Sequence, residues 1–564
     1  MILTLKQKAV LTSSIAVAAL LAGMAAAGAA ESRDALMQQH RGGTMKLNAH
    51  GSAGTIDPMI NYEQQFWQIL TVTNDGLLAF KKADGKEGNV IVPDLAENLP
   101  KPEDGGKTYV FTLRKGVKFS TGKEVTPADV VASFERIFKV SSPTAGSFYN
   151  GIVGADACLK TAATCSLKDG VIGDDKANTV TFHLTAPDAE FFDKLSVPHA
   201  SIVPADTPAK DLGTTPAAAT GPYMIQSYDP DHGMKIVRNP NFKQFSADAQ
   251  PDGYVDDFDY NFGLDDQAGL TAVLNGQADW DYDDPPTDRL GELGTKYAKQ
   301  VKVHTLSAYY YVPMNVNIPP FNNAKARQAV AYAVDRKALV GLFGGPNLAN
   351  PLCQHLPIGM AGYEPYCPFT KNPGNGKWSA PDMEKAKQLI EESGTKGQKV
   401  TLIGDDKAIP KSIATYMQGV LRDLGYDASL KTISHNIQFT YIQNTNNNVQ
   451  ISVTDWYADY PAPSDFLNVL YGCDSFHPGS DSSINIAGWC DKTVDADMKQ
   501  ALATAVTDPK AADAIWAKVD KAVTDAAPAA ALFQPKRVDV VSTRVGNFMF
   551  TDSFHMLLSQ VWVK

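Results

Sequence analysis

Residues 381–430 read PDMEKAKQLIEESGTKGQKVTLIGDDKAIPKSIATYMQGVLRDLGYDASL, and this stretch decides the fold class. It predicts two helices, over residues 381–393 and 410–424, each closed by a glycine, and two strands near Val400 and Ala428. Strands that alternate with helices are typical of a largely parallel sheet. The sequence therefore predicts an α/β fold for this part of the chain.

Helix and strand patterns continue on both sides of this stretch. Thr126, Pro127 and Asp129 form a helix start before an apolar stripe, and the last predicted helix begins at Asp508. Residues 309–315 form an extended aromatic segment. The alternation of helices and strands is thus not confined to one region.

The composition indicates a large globular protein. The chain has 564 residues, several times the usual domain length of about 100 to 200 residues, so we expect two or three lobes. Hydrophobic residues make up 44% and charged residues 20% of the chain, which excludes a disordered protein. The net charge of −11 argues against a nucleic-acid partner.

The first thirty residues predict an export signal. Lys6 and Lys8 precede an apolar run over residues 9–27, and small residues continue to Ala30. We therefore expect a signal peptide over residues 1–30, followed by a polar tail over residues 31–43. An uncleaved anchor is the alternative, because the run is almost long enough to span a bilayer of about 30 Å.

The same segment argues against a lipid anchor. Leu21, Ala22 and Gly23 resemble the residues before a lipid-bearing cysteine, but Met24 follows them. The first cysteine of the chain is Cys158. The sequence therefore predicts an exported protein that is not lipidated.

The six cysteines fall into three pairs of sequence neighbours, and each pair brackets a loop rich in Gly, Pro or Asp. In an exported chain this spacing favours three local disulfides, although six cysteines allow about 15 pairings. Metal binding is the alternative, but no CxxC and no histidine in ligand spacing supports it. The expected pairs are Cys158 with Cys165, Cys353 with Cys367, and Cys473 with Cys490.

Residues 453–461, VTDWYADYP, place Asp455 and Asp459 among three aromatic rings. The residues before them alternate as a half-buried strand does, and Pro461 stops that strand, so we expect the segment to emerge where sheet meets loop. An acid among rings suits the amine of a ligand. The alternative is a capped strand end at a wet surface.

Enzyme motifs are missing from the sequence. G-x-S-x-G, H-E-x-x-H and Walker A patterns do not occur, and no glycine-rich phosphate loop opens a helix. We therefore predict an exported binding protein without a cofactor or a metal site. A secreted hydrolase that uses a pair of carboxylates is the alternative from another class.

Many ordered blocks of the chain resemble the family 5 extracellular solute-binding proteins, the peptide- and nickel-type receptors of ABC importers. The resemblance covers nearly the whole predicted mature chain. Its blocks include NDGLL at 74–78, VPDLAE at 92–97, KTYVFTLRKGVKF at 107–119, TGPY at 220–223, RNP at 238–240, LNGQAD at 274–279 and AVDR at 333–336.

The resemblance implies a periplasmic-binding-protein-like fold with an extra inserted domain. Two lobes would be joined by a hinge of two crossings, near residues 308–313 and 530–535. Such a hinge can bend while both cores stay intact. The implied division is domain I over residues 44–90, 219–307 and 533–564, an inserted domain II over 91–218, and domain III over 308–532.

The resemblance also implies a binding site. Asp459 matches the acid with which the family binds the α-ammonium of a peptide, and Trp456 and Tyr457 would form a pocket wall beside it. Tyr311 and Asn315 would contact the ligand from the hinge strand. Many members carry an acid where this chain has Ala462, so a second polar contact there is in doubt.

The implied function is that of a monomeric, non-catalytic receptor in the periplasm, or at the outer face of the cytoplasmic membrane. It would capture a peptide or a similar amine-bearing solute and deliver it to an ABC importer whose permease and ATPase are separate chains. Receptors of the same family for a sugar, an opine-like conjugate or a metal chelate remain alternatives. The nickel-binding branch is less favoured because residues 453–463 contain no histidine or cysteine.

Overall fold

The structure, a computed structural model, describes residues 35–564, so the predicted signal peptide lies outside the described residues. Residues 35–40 are helical. The strands, in chain order, are β1 Thr44–Ala49, β2 Leu78–Phe80, β3 Ile91–Pro93, β4 Thr108–Thr112, β5 Val171–Asp174, β6 Thr179–His183, β7 Tyr223–Asp229, β8 Gly233–Arg238, β9 Asp257–Phe262, β10 Trp280–Asp281, β11 Val301–Thr305, β12 Ala308–Pro313, β13 Ala349–Pro351, β14 Lys399–Asp405, β15 Asp427–Ile433, β16 Ile451–Ser452, β17 Thr454–Tyr457, β18 Ala529–Val540, β19 Val545–Gly546, β20 Phe550–Thr551, β21 His555–Met556 and β22 Trp562–Val563.

The α-helices alternate with these strands, and short 3₁₀ turns join several of the elements. The later helices are α1 Gln64–Thr73, α2 Pro127–Lys139, α3 Ala155–Lys160, α4 Phe191–Lys194, α5 Asp266–Leu274, α6 Leu290–Thr295, α7 Ala324–Ala333, α8 Arg336–Leu342, α9 Met383–Ser393, α10 Ala408–Asp423, α11 His435–Gln443, α12 Ser464–Tyr471, α13 Lys492–Ala505 and α14 Pro509–Ala526.

A five-stranded sheet in the order β10-β1-β9-β8-β7 forms the centre of the first lobe. Strand β1 is parallel to both of its neighbours, β9 and β10. Helix α1 covers this sheet, and its Phe66 and Ile69 belong to the same hydrophobic core as Leu47 and Phe258. Burial of this apolar face holds the lobe together.

A separate three-stranded sheet, β4-β6-β5, lies in the part of the chain between β3 and β7. Helix α2 packs on it through buried Val130, Phe134 and Ile137. Thr126 and Asp129 form the reciprocal capping box that the sequence predicts at the start of this helix. The sequence predicts this helix start because the two residues of the capping box lie within one helical turn of each other.

The second lobe is centred on the parallel sheet β15-β14-β16. Helix α10 joins β14 to β15 and packs on both strands. Gly394 and Gly425, the predicted helix stops, adopt φ values of 66° and 95°, where a side chain would add strain. The structure confirms the alternation of helix and strand predicted for residues 381–430.

The two lobes are connected through an antiparallel sheet in the order β11-β18-β12-β17. Strands β12 and β18 are antiparallel neighbours, with Tyr310 opposite Phe533. The two segments expected as crossings, residues 308–313 and 530–535, therefore lie side by side. An isolated bridge between Trp280 and Val541 continues the contact into the first lobe.

The prediction of a half-buried strand that ends in an aromatic loop was wrong in its details. Ile451–Ser452 pairs with β14, whereas Thr454–Tyr457 is itself a strand and pairs with β12. Ser452 and Thr454 are buried like their apolar neighbours because the segment runs between two sheets and is covered on both faces. Only Ala458 and the residues after it leave the sheet.

Three disulfides join cysteines that are neighbours in sequence. The bonds are Cys158–Cys165, Cys353–Cys367 and Cys473–Cys490, with separations of 7, 14 and 17 residues. Among residues 35–564, no helix has the length and apolar character needed to cross a bilayer.

Candidate functional site

A cavity of about 210 Å³ lies between the two lobes. It is located where parallel strands end: β10 of the first lobe leads into Asp283 and Asp284, and β14 of the second lobe leads into Asp405 and Lys407. The carboxyl ends of parallel strands are the usual place for ligand sites in α/β folds. The remaining lining includes Tyr62, Glu63, Asp266, Tyr282, Tyr310, His435, Gln438, Asp455, Trp456, Tyr457, Asp459 and Arg537.

Asp459 projects into this cavity from the turn that follows β17. It is only 7% exposed, and Tyr62, which precedes α1, donates its hydroxyl hydrogen to Asp459 Oδ2 at 2.5 Å. The hydrogen bond joins the two lobes, because Tyr62 belongs to the first and Asp459 to the second. A carboxylate offers about four acceptor positions, so the Tyr62 hydroxyl occupies only one of those of Asp459.

A second carboxyl group, that of Asp465, lies directly behind Asp459. Asp465 Oδ2 accepts hydrogen bonds from the backbone N–H of Asp459 at 3.0 Å and from the Trp456 indole at 3.3 Å. Burial raises the pKa of Asp459 to about 7. Burial and the neighbouring Asp459 raise the pKa of Asp465 well above its ordinary range. Two adjacent buried carboxyl groups resist carrying two charges, so the pair retains a proton near neutral pH.

Aromatic rings surround the approach to Asp459. The Tyr62 and Trp456 rings meet edge to face with centroids 5.5 Å apart, and Tyr62 also contacts His199 at 5.0 Å. Trp456 is 5% exposed and fixed by its indole hydrogen bond to Asp465. Rigid aromatic walls around a buried acid form a suitable setting for a cation.

An ion pair closes another side of the cavity. Lys407 Nζ lies 2.5 Å from Asp283 Oδ1, and both side chains are largely buried. Asp283 also accepts the backbone N–H of His50 at 2.5 Å. Nearby, Gly51 of the first lobe lies close to the Asn436 side chain of the other lobe.

The acidic side chains around Lys407 differ in whether a donor or a positively charged group lies directly beside them. Asp405 Oδ2 lies 2.6 Å from His435 Nδ1. Burial raises the pKa of Glu63 to about 7, against a lowering influence of His435 and Lys407. Within residues 35–564, neither the Glu63 nor the Asp284 carboxylate accepts a hydrogen bond from a protein group. The cavity thus contains buried acids that the neighbouring positive charges compensate only in part.

Three of the five residues expected at the site, Asp459, Trp456 and Tyr457, line the cavity. Tyr311 does not: it is 2% exposed and stacks on Tyr309 with ring centroids 4.7 Å apart. Because side chains alternate along a strand, Tyr310 faces the cavity while its two tyrosine neighbours face the core.

Asn315 also lies away from the cavity. Its side-chain amide donates to the Val449 carbonyl at 3.2 Å, and its Oδ1 accepts the backbone N–H of Asn317 at 3.0 Å. The residue therefore stabilises the loop after β12. Neither Tyr311 nor Asn315 thus lines this cavity, and the ligand contact expected of them stays a prediction.

The sequence reasoning missed several lining residues, among them Tyr62, Glu63, Asp284, Lys407 and Arg537. They come from chain segments far from residues 453–461, and only the packing of the two lobes brings them together. No group of three Asp, Glu, His or Cys side chains in the described part of the chain is close enough to hold a metal ion.

The family profile "Bacterial extracellular solute-binding proteins, family 5 Middle" matches residues 90–477. The probable D,D-dipeptide-binding periplasmic protein DdpA of Escherichia coli (strain K12) is 25% identical over 517 residues, which covers 88% of this chain and 89% of the relative. The dipeptide-binding protein of the same organism is 26% identical over 482 residues and covers 80% and 83% of the two chains.

The fold is shared with solved structures. The ABC transporter-associated periplasmic binding protein DppA from Helicobacter pylori, in complex with the peptide STSA, has a TM-score of 0.77 at 20% identity, over 93% of this chain and 99% of the other. This likeness confirms the predicted two-lobed, periplasmic-binding-protein-like architecture. The profile match covers well over half of the chain, and this chain belongs to the family 5 bacterial extracellular solute-binding proteins.

Proposed function

We propose that this chain is a non-catalytic receptor that captures a peptide, or a similar solute with a free amine, in the cavity between its lobes. The observation that carries the proposal is Asp459, a buried carboxyl group at the cavity, among the aromatic rings of Tyr62, Trp456 and Tyr457. The names of the relatives support it, because two of them are described as dipeptide-binding proteins.

The proposed contact is a charge-assisted hydrogen bond between the Asp459 carboxylate and the α-ammonium of the solute. Such a bond contributes about 1.5 to 3 kcal/mol. Trp456 and Tyr457 provide apolar and cation–π contact with the groups next to the ammonium. Bridging of the two lobes by the solute favours the closed arrangement, because contacts on both faces exist only there.

The proposal includes a cellular setting. The receptor acts as a monomer outside the cytoplasmic membrane, in the periplasm or at the outer face of that membrane, without a lipid anchor. It delivers the solute to the permease of an ABC importer with separate ATPase chains. The relatives described as periplasmic and the family membership support this setting.

We also propose the division into domain I (residues 44–90, 219–307 and 533–564), inserted domain II (91–218) and domain III (308–532). The sheet membership supports it, because β1 and β7 to β10 form one sheet although β4 to β6, between them in sequence, form another. The proposed boundary between domain III and the last part of domain I falls within β18, which runs through both lobes as one strand.

The test compares free-amine peptides with their N-acetylated forms by isothermal titration calorimetry. The Asp459→Ala variant should lose affinity for free-amine peptides far more than for acetylated ones, because only the former present an ammonium. The Asp175→Ala variant is the control, since Asp175 is exposed. Equal losses for both peptide forms would contradict the role of Asp459.

A second measurement addresses catalysis. The protein is incubated with a peptide mixture, and bound and free peptides are identified by mass spectrometry. A receptor returns unchanged peptides in stoichiometric amounts, whereas cleavage products that accumulate with time would show turnover and overturn the non-catalytic assignment.

A further inference from the structure

Asp465 is a fully buried acid that contacts the proposed binding acid from behind. It is the second residue of α12 and is 0% exposed, whereas Asp459 is 7% exposed and lines the cavity. Asp465 Oδ2 accepts the backbone N–H of Asp459 at 3.0 Å and the Trp456 indole N–H at 3.3 Å. One carboxyl group thus fixes both the turn that carries the binding acid and the aromatic ring beside it.

The other oxygen of Asp465 has no donor. Within residues 35–564, no protein group donates a hydrogen bond to Asp465 Oδ1, although this oxygen is buried. A buried carboxylate oxygen without a donor costs free energy, whereas a protonated Oδ1 is itself a donor. The acceptor within reach is the carboxyl group of Asp459, which forms a side-chain hydrogen bond with Asp465. A proton on Oδ1 therefore satisfies both carboxyl groups at once.

The surroundings of Asp465 favour its protonated form. Burial and the adjacent Asp459 raise the pKa of Asp465 well above its ordinary range, although the two N–H donors and the start of α12 favour a carboxylate. Within the described part of the chain, no positively charged group is among those that act on either carboxyl group. Of the two acids, Asp465 is the more deeply buried and therefore the one that retains the proton.

The neighbouring elements bring neutral groups to this pair of acids. Tyr62, Tyr149 and Tyr460 face it, and burial raises the pKa of each phenol well above its ordinary value. Burial lowers the pKa of His199, which packs against Tyr62, to about 3. The next acid, Glu190, acts on Tyr460. The proton of the pair is therefore shared between the two carboxyl groups alone.

We propose that Asp465 is a positioning residue that stays protonated, donates its Oδ1 proton to Asp459, and so holds Asp459 as the oriented carboxylate that binds the ammonium. The inference rests on the proposed function, in which Asp459 makes that contact. The proton remains on Asp465 when the solute binds, so the pair carries a single negative charge, which one ammonium neutralises. Through the indole hydrogen bond, Asp465 also holds the Trp456 wall against the same group.

Two replacements of Asp465 test the role of the donor. Asp465→Asn keeps the shape, an N–H donor toward Asp459 and an oxygen for the two N–H groups, so the affinity for the dipeptide Ala-Ala should stay within about threefold of wild type. Asp465→Leu removes all of these groups and should weaken Ala-Ala by about tenfold or more, and N-acetylated Ala-Ala much less. Isothermal titration calorimetry measures both affinities on the full exported chain, freed of bound solute by unfolding and refolding.

Infrared difference spectroscopy locates the proton and needs no solute. The C=O stretch of a protonated carboxyl group lies apart from the bands of a carboxylate. At about pH 8, above the pKa of Asp459, Asp465→Asn should lose a protonated-carboxyl band that wild type shows and that shifts in D₂O. Asp175→Asn, in which an exposed acid is replaced, is the matched control and should lose carboxylate bands instead. Loss of carboxylate bands in Asp465→Asn as well would overturn the proposal.

The outcomes separate this inference from the proposed function. If Asp459→Ala discriminates between Ala-Ala and its acetylated form but Asp465→Leu weakens both equally, the positioning role is refuted while peptide capture stands. Binding by Asp465→Asn that is as weak as that of Asp465→Leu also refutes it, because the amide retains the donor. If wild type does not bind Ala-Ala or longer free-amine peptides, peptide capture fails and the positioning role fails with it. Thermal unfolding checks each variant, and if Asp465→Leu does not fold, the affinity and infrared spectrum of Asp465→Asn decide.

Discussion

Replacing Asp459 by Asn should stabilise the protein above neutral pH, because the wild type holds a buried carboxylate there. The pKa of Asp459 is raised to about 7 by burial, against an ordinary value of about 3.9. At about 1.36 kcal/mol per pH unit, this difference corresponds to about 4 kcal/mol of folding free energy. Asparagine has a similar shape and its amide oxygen can still accept the Tyr62 hydroxyl hydrogen.

The direction of this pH dependence follows from the order of the folded-state and unfolded-state pKa values of Asp459. The folded-state pKa lies above that of the unfolded chain, so the contribution of Asp459 to stability is complete below about pH 4 and is lost as the pH rises through 7. The larger part of this loss, roughly 2 to 3 kcal/mol, falls between pH 5 and pH 8. Asparagine does not titrate, so the stability of Asp459→Asn relative to wild type should increase by that amount.

The assay is urea unfolding of wild type and variant, without added solute, at about pH 5 and about pH 8. Asp175→Asn, an exposed acid, is the control and should show no such pH-dependent difference. A difference between Asp459→Asn and wild type that is the same at both pH values would refute the buried-carboxylate reasoning. The same variant should also lose affinity for free-amine peptides, since the ammonium no longer meets a charge.

Three further changes test an ion pair between the lobes, a disulfide and a buried acid. Lys407→Met leaves Asp283 as a buried charge without its partner, which costs about 3 to 5 kcal/mol. Because this ion pair joins the two lobes, the lobes should move apart, and small-angle X-ray scattering should show a larger radius of gyration. Adding Asp283→Asn should reverse part of that increase in radius. Replacing Cys473 and Cys490 together by Ser opens a loop of 17 residues and should lower the unfolding free energy by about 3 kcal/mol in denaturant. Burial raises the pKa of Glu190 to about 8, so wild-type stability should fall as the pH rises from about 5 to about 8, and urea unfolding of Glu190→Gln should show a smaller fall over the same range.

The sequence predicts the elements whose determinants are local. The capping residues Thr126 and Asp508 mark helix starts, because their hydrogen-bond partners lie within the next turn. The parallel pairing of β14 with β15 follows from the helix between them. Asp459 and its aromatic neighbours could be predicted as site residues because they are consecutive in the chain.

The orientation of a strand and the partners across the cavity could not be predicted in the same way. Residues 309–311 are three tyrosines, so this strand shows no alternation of polar and apolar residues. Without that pattern, the sequence does not indicate that Tyr310 is the one that faces the cavity. Tyr62 and Asp459 are 397 residues apart, and their hydrogen bond exists only when the lobes are packed together. Asp283 likewise meets Lys407 of the other lobe only in this arrangement.

Polar contacts already cross the cavity, and they define the arrangement that a bound solute has to favour. Lys407 pairs with Asp283, and the Tyr62 hydroxyl donates to Asp459, so each lobe supplies one carboxyl group and one donor. A ligand shifts a conformational equilibrium only by its difference in affinity for the two states. A solute that contacts one lobe alone therefore leaves closure unchanged, whereas a solute that contacts both lobes adds its own free energy to these contacts in the closed arrangement.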